Sequence, residues 1–321
     1  MTDPRNRLND LTNREWVRET KSFWRGAGGT GGLVGPEAME EFSRWLCETH
    51  GGEEAERLLG QLADSRLLSS NPPRGSKKIA HPATFSERDI ERLLRFFTKE
   101  GELVLDPFLG SGSTLLAARA CGRAGLGLEL IPQWAKLARE RVAQQADLFA
   151  ELPPLEVRQT DALAGLREMP ADSVDFIVTS PPYWRILRKK PGMKAQQERR
   201  DKGLTTHYSE DPADLGNVAD YGEFLTRLGD VFAECGRVLQ ANRYLAVIVS
   251  DFRDGKRFVL YHADLAAEIE RRGLALKGVT ILLQDDKNLY PFAIPYAFVS
   301  NIHHQYILVF QKPKAGLAGQ A

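Results

Sequence analysis

The sequence predicts an α/β fold in which a mostly parallel, twisted sheet carries helices on both faces. Two observations lead to this prediction. Apolar runs of strand length alternate along the chain with segments whose apolar residues recur at helical spacing. In addition, a strand over 103–105 leads through a glycine-rich turn into a helix, and the next strand ends at the acidic residue Glu129. That order is typical of the opening of a nucleotide-binding α/β sheet.

Length and composition limit the class of protein. The 321 residues include 43 Lys plus Arg and 43 Asp plus Glu, so net charge favours no class of partner, and we expect any nucleic-acid surface to be a local patch. The cysteines Cys47, Cys121 and Cys235 are scattered without metal-ligand spacing, and we predict no metal site. The polar start and the absence of a long apolar run predict a cytoplasmic protein without membrane contact.

The chain divides into predicted parts with different composition. Residues 1–24 form an N-terminal arm, in which Thr12 and Glu15 have the spacing of a helix capping box. Residues 25–68 form a glycine-rich linker and a small helical insertion. The α/β domain covers 69–313, and 314–321 form a tail.

Hydrophobic periodicity predicts the order of elements inside the α/β domain. Predicted helices cover 86–98, 114–121, 221–239 and 259–271. Predicted strands cover 103–105, 126–130, 155–159, 172–179, 244–250, 275–283 and 305–310. The first helix has the clearest apolar face, formed by Ile90, Leu93, Leu94 and Phe97.

The turn after the first strand is the first candidate for a binding site. Its sequence is Asp-Pro-Phe-Leu-Gly-Ser-Gly-Ser-Thr over 106–114. Gly110 and Gly112 allow positive φ and a close approach of the backbone to a ligand. Asp106 is placed to bind a cationic amino group, and Glu129 is placed to accept from ribose hydroxyls. Neither the Gly-x-x-x-x-Gly-Lys loop nor the Gly-x-Gly-x-x-Gly spacing is present, which disfavours a nicotinamide dehydrogenase.

The second candidate is the end of the strand over 172–179, which runs into Thr-Ser-Pro-Pro-Tyr-Trp over 179–184. The strand must end there because proline cannot donate to a sheet ladder. Ser180 offers a hydroxyl and Pro181 a carbonyl, and both accept hydrogen bonds beside the flat ring of Tyr183. This set suits a planar ring that carries an exocyclic amino group.

Together the two motifs resemble those of amino-methylating DNA methyltransferases, most closely the enzymes that modify cytosine N4. The resemblance implies a Rossmann-like class I methyltransferase domain, S-adenosylmethionine as cofactor and double-stranded DNA as partner. It allows a cognate restriction endonuclease acting on the same site as a further partner. One feature departs from the family: the cofactor motif precedes the catalytic motif here, whereas many cytosine-N4 enzymes with Thr-Ser-Pro-Pro-Tyr have the permuted order.

Roles are carried over residue by residue from the resemblance. The implied catalytic set is Ser180, Pro181, Pro182 and Tyr183, with Tyr183 stacking on a base flipped out of the duplex. The segment 81–85 is implied to line the methionine side of the cofactor, and Asp161 to meet its adenine amino group, although Asp161 is also typical of an exposed turn. The implied cofactor-binding set is His81, Pro82, Thr84, Phe85, Asp106, Pro107, Phe108, Gly110, Ser111, Gly112, Ser113, Glu129, Leu130, Asp161 and Ala162.

Two loops are candidate DNA-recognition elements, the basic loop 185–220 and the aromatic loop 284–304. The basic loop begins with a dense run of cations, and we expect these to contact phosphates. The predicted nucleic-acid contacts are Arg185, Arg188, Lys189, Lys190 and Lys194. Three alternatives stay open: an adenine-N6 enzyme, which Asp or Asn in place of Ser180 would favour, an RNA methyltransferase, or a non-catalytic nucleic-acid-binding relative.

Overall fold

A computed structural model describes residues 86–144, 153–184, 213–284 and 299–314, residue 211, and scattered residues among the first 52. The chain groups into two compact units, one of residues 1–24, 80–283 and 302–321, the other of residues 25–79 and 284–301. The predicted contacts His81–Phe85 and Arg185–Lys194 lie outside the described residues, as do most of the 25–68 insertion and of the aromatic loop.

Helices and strands alternate through the described residues. The helices are α1 (Glu87–Phe97), α2 (Ser113–Ala120), α3 (Pro132–Gln144), α4 (Ala162–Arg167), α5 (Tyr221–Val238) and α6 (Tyr261–Arg271). The strands are β1 (Phe23–Arg25), β2 (Leu103–Asp106), β3 (Ala124–Glu129), β4 (Leu155–Gln159), β5 (Val174–Thr179), β6 (Leu239–Val249), β7 (Phe252–Asp254), β8 (Arg257–Val259), β9 (Ala275–Leu283) and β10 (His304–Gln311). None of the helices described combines the length and the apolar composition needed to cross a bilayer.

The main sheet has eight strands in the order β1-β9-β10-β6-β5-β2-β3-β4. The strands β6, β5, β2, β3 and β4 are parallel, whereas β10 is antiparallel to both β6 and β9. The chain moves outward from β2 to β4 and then returns to the other side of β2 with β5. This reversal makes a switch point between β2 and β5, where open α/β sheets bind ligands. The predicted mostly parallel, Rossmann-like sheet is confirmed.

Alternate residues of the central strands fill two separate cores. Val104 of β2 and Phe176 of β5 are paired neighbours that face the layer of α1. The next pair, Leu105 and Ile177, faces the layer of α5 and α6. All four side chains are fully buried. Helices therefore cover both faces of the sheet, which explains why its strands are continuous apolar runs rather than alternating ones.

The N-terminal arm contains the predicted capping box and packs against the sheet domain. The Thr12 backbone N–H donates to the Glu15 carboxylate over 2.8 Å, and the Glu15 N–H donates to the Thr12 hydroxyl over 3.4 Å. These reciprocal bonds form the predicted capping box. The ring of Trp16 packs against Phe96 of α1, with 5.2 Å between the ring centroids.

Hydrophobic periodicity did not predict the strand β1, the helices α3 and α4, or the hairpin of β7 and β8. The helix α3 buries only Trp134, Ala135 and Ala138, so its apolar stripe is weak in the sequence. The helix α4 has six residues, and each hairpin strand has three, which is too short for a periodic pattern.

We expect the Phe176→Ala variant to lose about 3–5 kcal/mol of unfolding free energy, because the ring is fully buried and stacks on Phe97 at 5.1 Å. Chemical denaturation followed by circular dichroism measures this loss. The matched control is Phe258→Ala, at a ring that is 38% exposed, for which we expect about 1 kcal/mol or less. Equal losses in the two variants would contradict the assignment of Phe176 to the core.

Candidate active site

A cavity of about 310 Å³ opens at the switch point between β2 and β5. Several predicted site residues line it: 106–108, 110–111 and 113 of the glycine-rich turn, 129–130, 161–162 and 180–182. Gly112 and Tyr183 are outside this lining. The fold thus brings the two predicted motifs, which are far apart in the sequence, to one cavity.

Asp106 at the end of β2 is the central carboxylate of this region. It is 2% exposed, and one oxygen accepts from the Thr179 hydroxyl at 2.6 Å and from the Phe108 N–H at 3.0 Å. The other oxygen accepts from the Thr114 hydroxyl at 2.6 Å. Burial raises the pKa of Asp106, and these three hydrogen bonds oppose that rise. Asp106 therefore joins β2, α2 and β5 at the switch point.

The glycine-rich turn has the backbone conformation that the sequence predicts. Gly110 has φ of 57°, and Gly112, which precedes α2, has φ of 90°. A Cβ atom at Gly112 would lie 3.1 Å from the Cβ of Ala138 on α3. Gly112 thus serves the turn and the packing of α3, which agrees with its position outside the cavity lining.

Glu129 at the end of β3 holds the same turn from the other side. Its carboxylate accepts from the N–H groups of Gly110 and Ile131, each over 2.8 Å. The side chain is 8% exposed, and burial, with smaller contributions from Asp106 and Asp214, raises its pKa to about 7. A carboxylate oxygen has two lone pairs, so Glu129 can still accept from ligand hydroxyls.

Asp161 combines two positions that the sequence left as alternatives. It lines the cavity, and its side chain also accepts from the Ala164 N–H at 2.9 Å as the N-cap of α4. A capping aspartate has one oxygen committed to the helix, which leaves its second oxygen for a ligand.

The far wall of the cavity was not predicted from the sequence. It includes Asp214 and, one helical turn apart on α5, Arg227 and Val231, together with Asp230. Asp214 is buried and accepts from the Gly216 N–H at 2.9 Å, which starts a 3₁₀ turn at Leu215–Asn217. The i, i+4 spacing of Arg227 and Val231 was the available signal, but it does not reveal which face of α5 meets a cavity.

The ionisable side chains that line the cavity are mainly acidic. Among the described residues they are the carboxyl groups of Asp106, Glu129, Asp161, Asp214 and Asp230, against one guanidinium group, that of Arg227. Arg227 is also paired with Glu223 one turn earlier on the helix, at 2.5 Å. Such a lining favours a ligand with cationic groups.

The segment 179–184 at the end of β5, called the tip below, makes hydrogen bonds with three neighbouring segments. The Tyr261 hydroxyl donates to the Pro182 carbonyl at 3.2 Å, and the Trp184 indole N–H donates to the Val218 carbonyl at 3.0 Å. The Ser250 N–H donates to the Tyr183 hydroxyl oxygen at 2.9 Å. Burial raises the pKa of Tyr183 to about 12, so this phenol stays protonated at neutral pH. The position of Ser180–Pro182 is therefore fixed by the residues that follow it.

Two histidines near the same sheet edge are each bonded to a neighbouring side chain. His262 bonds to Asp251 through Nδ1 at 2.7 Å, and His304 bonds to the Tyr306 hydroxyl at 2.9 Å. Within the part of the chain that the structure describes, no three His, Cys, Asp or Glu side chains cluster as metal ligands.

We expect Thr179→Val to lower the unfolding free energy by about 1–3 kcal/mol, because it removes a hydroxyl donor from the buried Asp106 carboxylate while keeping the side-chain shape. Thermal and urea unfolding measure the change. The control Thr160→Val removes a hydroxyl whose bond to the Asp161 carbonyl is 3.4 Å long, and should change stability by about 0.5 kcal/mol or less. A loss no larger than the control's would show that Asp106 does not depend on Thr179.

Comparisons with known proteins identify the family to which this site belongs. The family model described as DNA methylase, for the N6 and N4 methyltransferases, matches residues 3–140 and 174–319. The two stretches cover both motifs and well over half of the chain.

Individual relatives match over shorter segments. Type II methyltransferase M.ScaI of Streptomyces caespitosus is 38% identical over 80 residues, which is 25% of this chain and 26% of the relative. Type II methyltransferase M2.DpnII of Streptococcus pneumoniae is 40% identical over 62 residues, 19% of this chain and 23% of the relative. The matched segment spans about a quarter of the length of these curated relatives.

Among solved structures, a putative DNA modification methylase of Thermus thermophilus, complexed with S-adenosylmethionine, is 26% identical over 47% of this chain and 52% of that one. Its TM-score of 0.33 is too low to support a comparison of the two structures. The assignment therefore depends on the family match, which runs through the turn 106–114, Glu129 and the tip 179–184. On that match, the chain belongs to the N6/N4 DNA methylase family.

Proposed function

We propose that this protein transfers the methyl group of S-adenosylmethionine to the exocyclic amino group of a base flipped out of double-stranded DNA, and that the target is cytosine N4. The observation that carries the proposal is the shared cavity. The glycine-rich turn, Glu129, Ser180 and Pro181 all line it. This common lining supports adjacent sites for a methyl donor and an amino acceptor.

The residues present suit the cofactor. Glu129 is at the end of β3, where its carboxylate can accept from two ribose hydroxyls, and Asp161 lies at the end of β4, where it can accept from an adenine amino group. The excess of carboxyl groups in the lining complements a ligand with sulfonium and ammonium groups. When bound, S-adenosylmethionine supplies an electrophilic methyl group. Positions 81–85 complete the proposed pocket on the basis of the sequence alone.

The tip supplies the chemistry at the target nitrogen. The lone pair of a cytosine amino group is delocalised into the ring, so the nitrogen is a weak nucleophile. Hydrogen bonds from its two N–H groups to the Ser180 hydroxyl and the Pro181 carbonyl would pyramidalise the nitrogen and localise that lone pair. Fixed positions for donor and acceptor then supply much of the rate acceleration. Pro182 fixes the backbone of the tip. Tyr183 lies outside the cavity lining, and its stacking on the base is proposed from the sequence resemblance alone.

DNA contacts belong to the same proposal. The cations of the basic loop, Arg185 to Lys194, are assigned to the phosphates of duplex DNA, and the aromatic loop 284–304 to recognition. A restriction endonuclease acting on the same site is a partner that this function allows.

The choice of cytosine over adenine depends on Ser180. Serine is neutral and short, whereas a carboxylate or amide at this position would favour adenine. The experiment that tests the function is incubation with unmethylated DNA and labelled S-adenosylmethionine, followed by mass spectrometry of the nucleosides. N4-methylcytosine as the product supports the proposal. N6-methyladenine as the sole product would mean that the target base is adenine, while the proposed methyl transfer to an amino group would stand. In a parallel incubation with RNA, label in the RNA but not in the DNA would mean that the substrate is RNA. No methylated product from either nucleic acid would favour a non-catalytic binding protein.

We expect Ser180→Ala to slow single-turnover methyl transfer about a hundredfold, because one of two hydrogen bonds to the reacting amino group is lost. Affinity for S-adenosylmethionine should stay within about twofold, since Ser180 lies on the base side of the transferred methyl. The matched control is Ser173→Ala, next to the opposite end of β5, which should react at the parent rate. A Ser180→Ala enzyme as fast as the parent would exclude a catalytic role for this hydroxyl.

We expect affinity for S-adenosylmethionine to rise with pH between about 5 and 8, because ribose hydroxyls are donors and favour the ionised form of Glu129. The pKa of Glu129 in the folded protein, about 7, lies above the usual 4.5. Without ligand, Glu129 therefore contributes to the free energy of unfolding fully below pH 4.5, and this contribution is lost as the pH rises through 7. Calorimetry across this range measures the affinity. The variant Glu129→Gln cannot ionise at this position, so its affinity should be weaker and should depend less on pH than that of the parent. A parent profile as flat as the variant's would place the ribose elsewhere.

A further inference from the structure

The hairpin of β7 and β8 lies at the same sheet edge as the catalytic tip. It begins three residues after the end of β6, the parallel neighbour of β5. The facing pairs are Phe252 with Val259, Arg253 with Phe258, and Asp254 with Arg257. Gly255 and Lys256 form its two-residue turn, with φ of 58° at Gly255. A turn this tight gives a well-defined hairpin.

The base of the hairpin is packed directly against the tip. Phe252 and Val259 are buried, and the Phe252 ring lies 6.5 Å from the rings of both Tyr183 and Trp184. Tyr261, two residues after the hairpin, lies 5.7 Å from the Tyr183 ring and donates its hydroxyl to Pro182. The hairpin and the tip therefore share one aromatic cluster, so neither can move without disturbing the other.

The outer part of the hairpin is basic and aromatic. Lys256, Arg257 and Phe258 are all exposed, and the Arg253 guanidinium lies 4.9 Å from the centre of the Phe258 ring. Leu260, directly after the hairpin, is 52% exposed. Cations interleaved with an aromatic ring are typical of surfaces that contact nucleic acid.

Two of the three nearby carboxylates have partners outside the hairpin, whereas Asp254 faces Arg257 across it. Asp251 is buried against His262, and Asp264 accepts from the Tyr221 hydroxyl at 2.9 Å. The hairpin itself has three cations and one carboxylate, so its charge is complementary to a polyanion.

We propose that residues 252–260 form a rigid contact with the sugar–phosphate backbone of duplex DNA beside the flipped nucleotide. The inference rests on the proposed function, and it adds a binding element distinct from the loops 185–220 and 284–304. A flipped base in the cavity requires its flanking phosphates to lie just outside the tip, and Lys256 and Arg257 are exposed on an element packed against that tip. Because the hairpin is preformed, little conformational entropy is lost on binding.

The test is the salt dependence of DNA binding by the double variant Lys256→Gln/Arg257→Gln. With a mixed-sequence duplex as probe, we expect the log–log salt slope to fall in magnitude by about 1.8, or about 0.9 for each phosphate that is no longer neutralised. The KM for DNA should rise while kcat at saturating DNA stays at the parent value. The control Lys277→Glu changes the net charge by the same amount. Lys277 is on β9, near the sheet edge opposite to the one that carries the tip and the hairpin, so the slope should stay unchanged.

The outcomes separate the two proposals. A parent that methylates DNA, with a double variant that keeps the parent's slope, overturns the contact assigned to the hairpin and leaves the function standing. A parent that neither binds nor methylates DNA overturns both. If the double variant keeps the parent's salt slope but has a different assembly mass in solution from the parent, the hairpin is a protein interface and the inference is wrong. Should the double variant lose S-adenosylmethionine binding, Lys256→Gln alone must lower the slope by about 0.9, and an unchanged slope there overturns the inference.

Discussion

The site depends on one buried carboxylate, that of Asp106, and on its three donors. An uncompensated carboxylate at this depth would be strongly unfavourable, so the Thr114 and Thr179 hydroxyls and the Phe108 N–H must all point at it. These donors come from α2, β5 and the turn itself. The requirement to satisfy Asp106 therefore fixes the distance between the glycine-rich turn and the strand that presents Ser180.

Glu129 extends this constraint across the next strand, at an electrostatic cost. Its bonds to Gly110 and Ile131 fix the turn, yet burial, with smaller contributions from the Asp106 and Asp214 carboxyl groups, raises the pKa of Glu129 and disfavours its ionisation. A cationic ligand in the cavity would offset this repulsion between carboxylates. The same groups thus shape the turn and set the charge of the ligand that it can accept.

Sequence reasoning predicted the parts of the molecule in which local pattern and function coincide. The sheet, the positive φ at Gly110 and Gly112, and the meeting of Glu129 with the tip of β5 all followed from periodicity and motifs. It missed α3, whose buried face is largely alanine, and the far wall around Asp214 and Arg227. The far wall was hidden because no local pattern tells which face of α5 turns to a cavity. The structure places Tyr183 outside the cavity lining, and its hydroxyl accepts from Ser250, a residue 67 positions further along the chain that no local pattern could indicate.

The strand order places two chemically different surfaces side by side at one edge of the sheet. Strands β2 and β3 end in the carboxylates Asp106 and Glu129, and Asp161 follows β4 by two residues. The segments after β5 and β6 instead form an aromatic cluster that joins Tyr183, Trp184 and Phe252. The first side is polar and buried, which suits a small charged ligand, and the second continues outward into an exposed basic hairpin, which suits a large polyanion. Ser180 stands at the boundary, since β5 is the strand between β2 and β6. Under the proposed function, a small methyl donor on the first side and a base of a large substrate on the second would meet at this boundary, and Ser180 would lie beside the reacting groups.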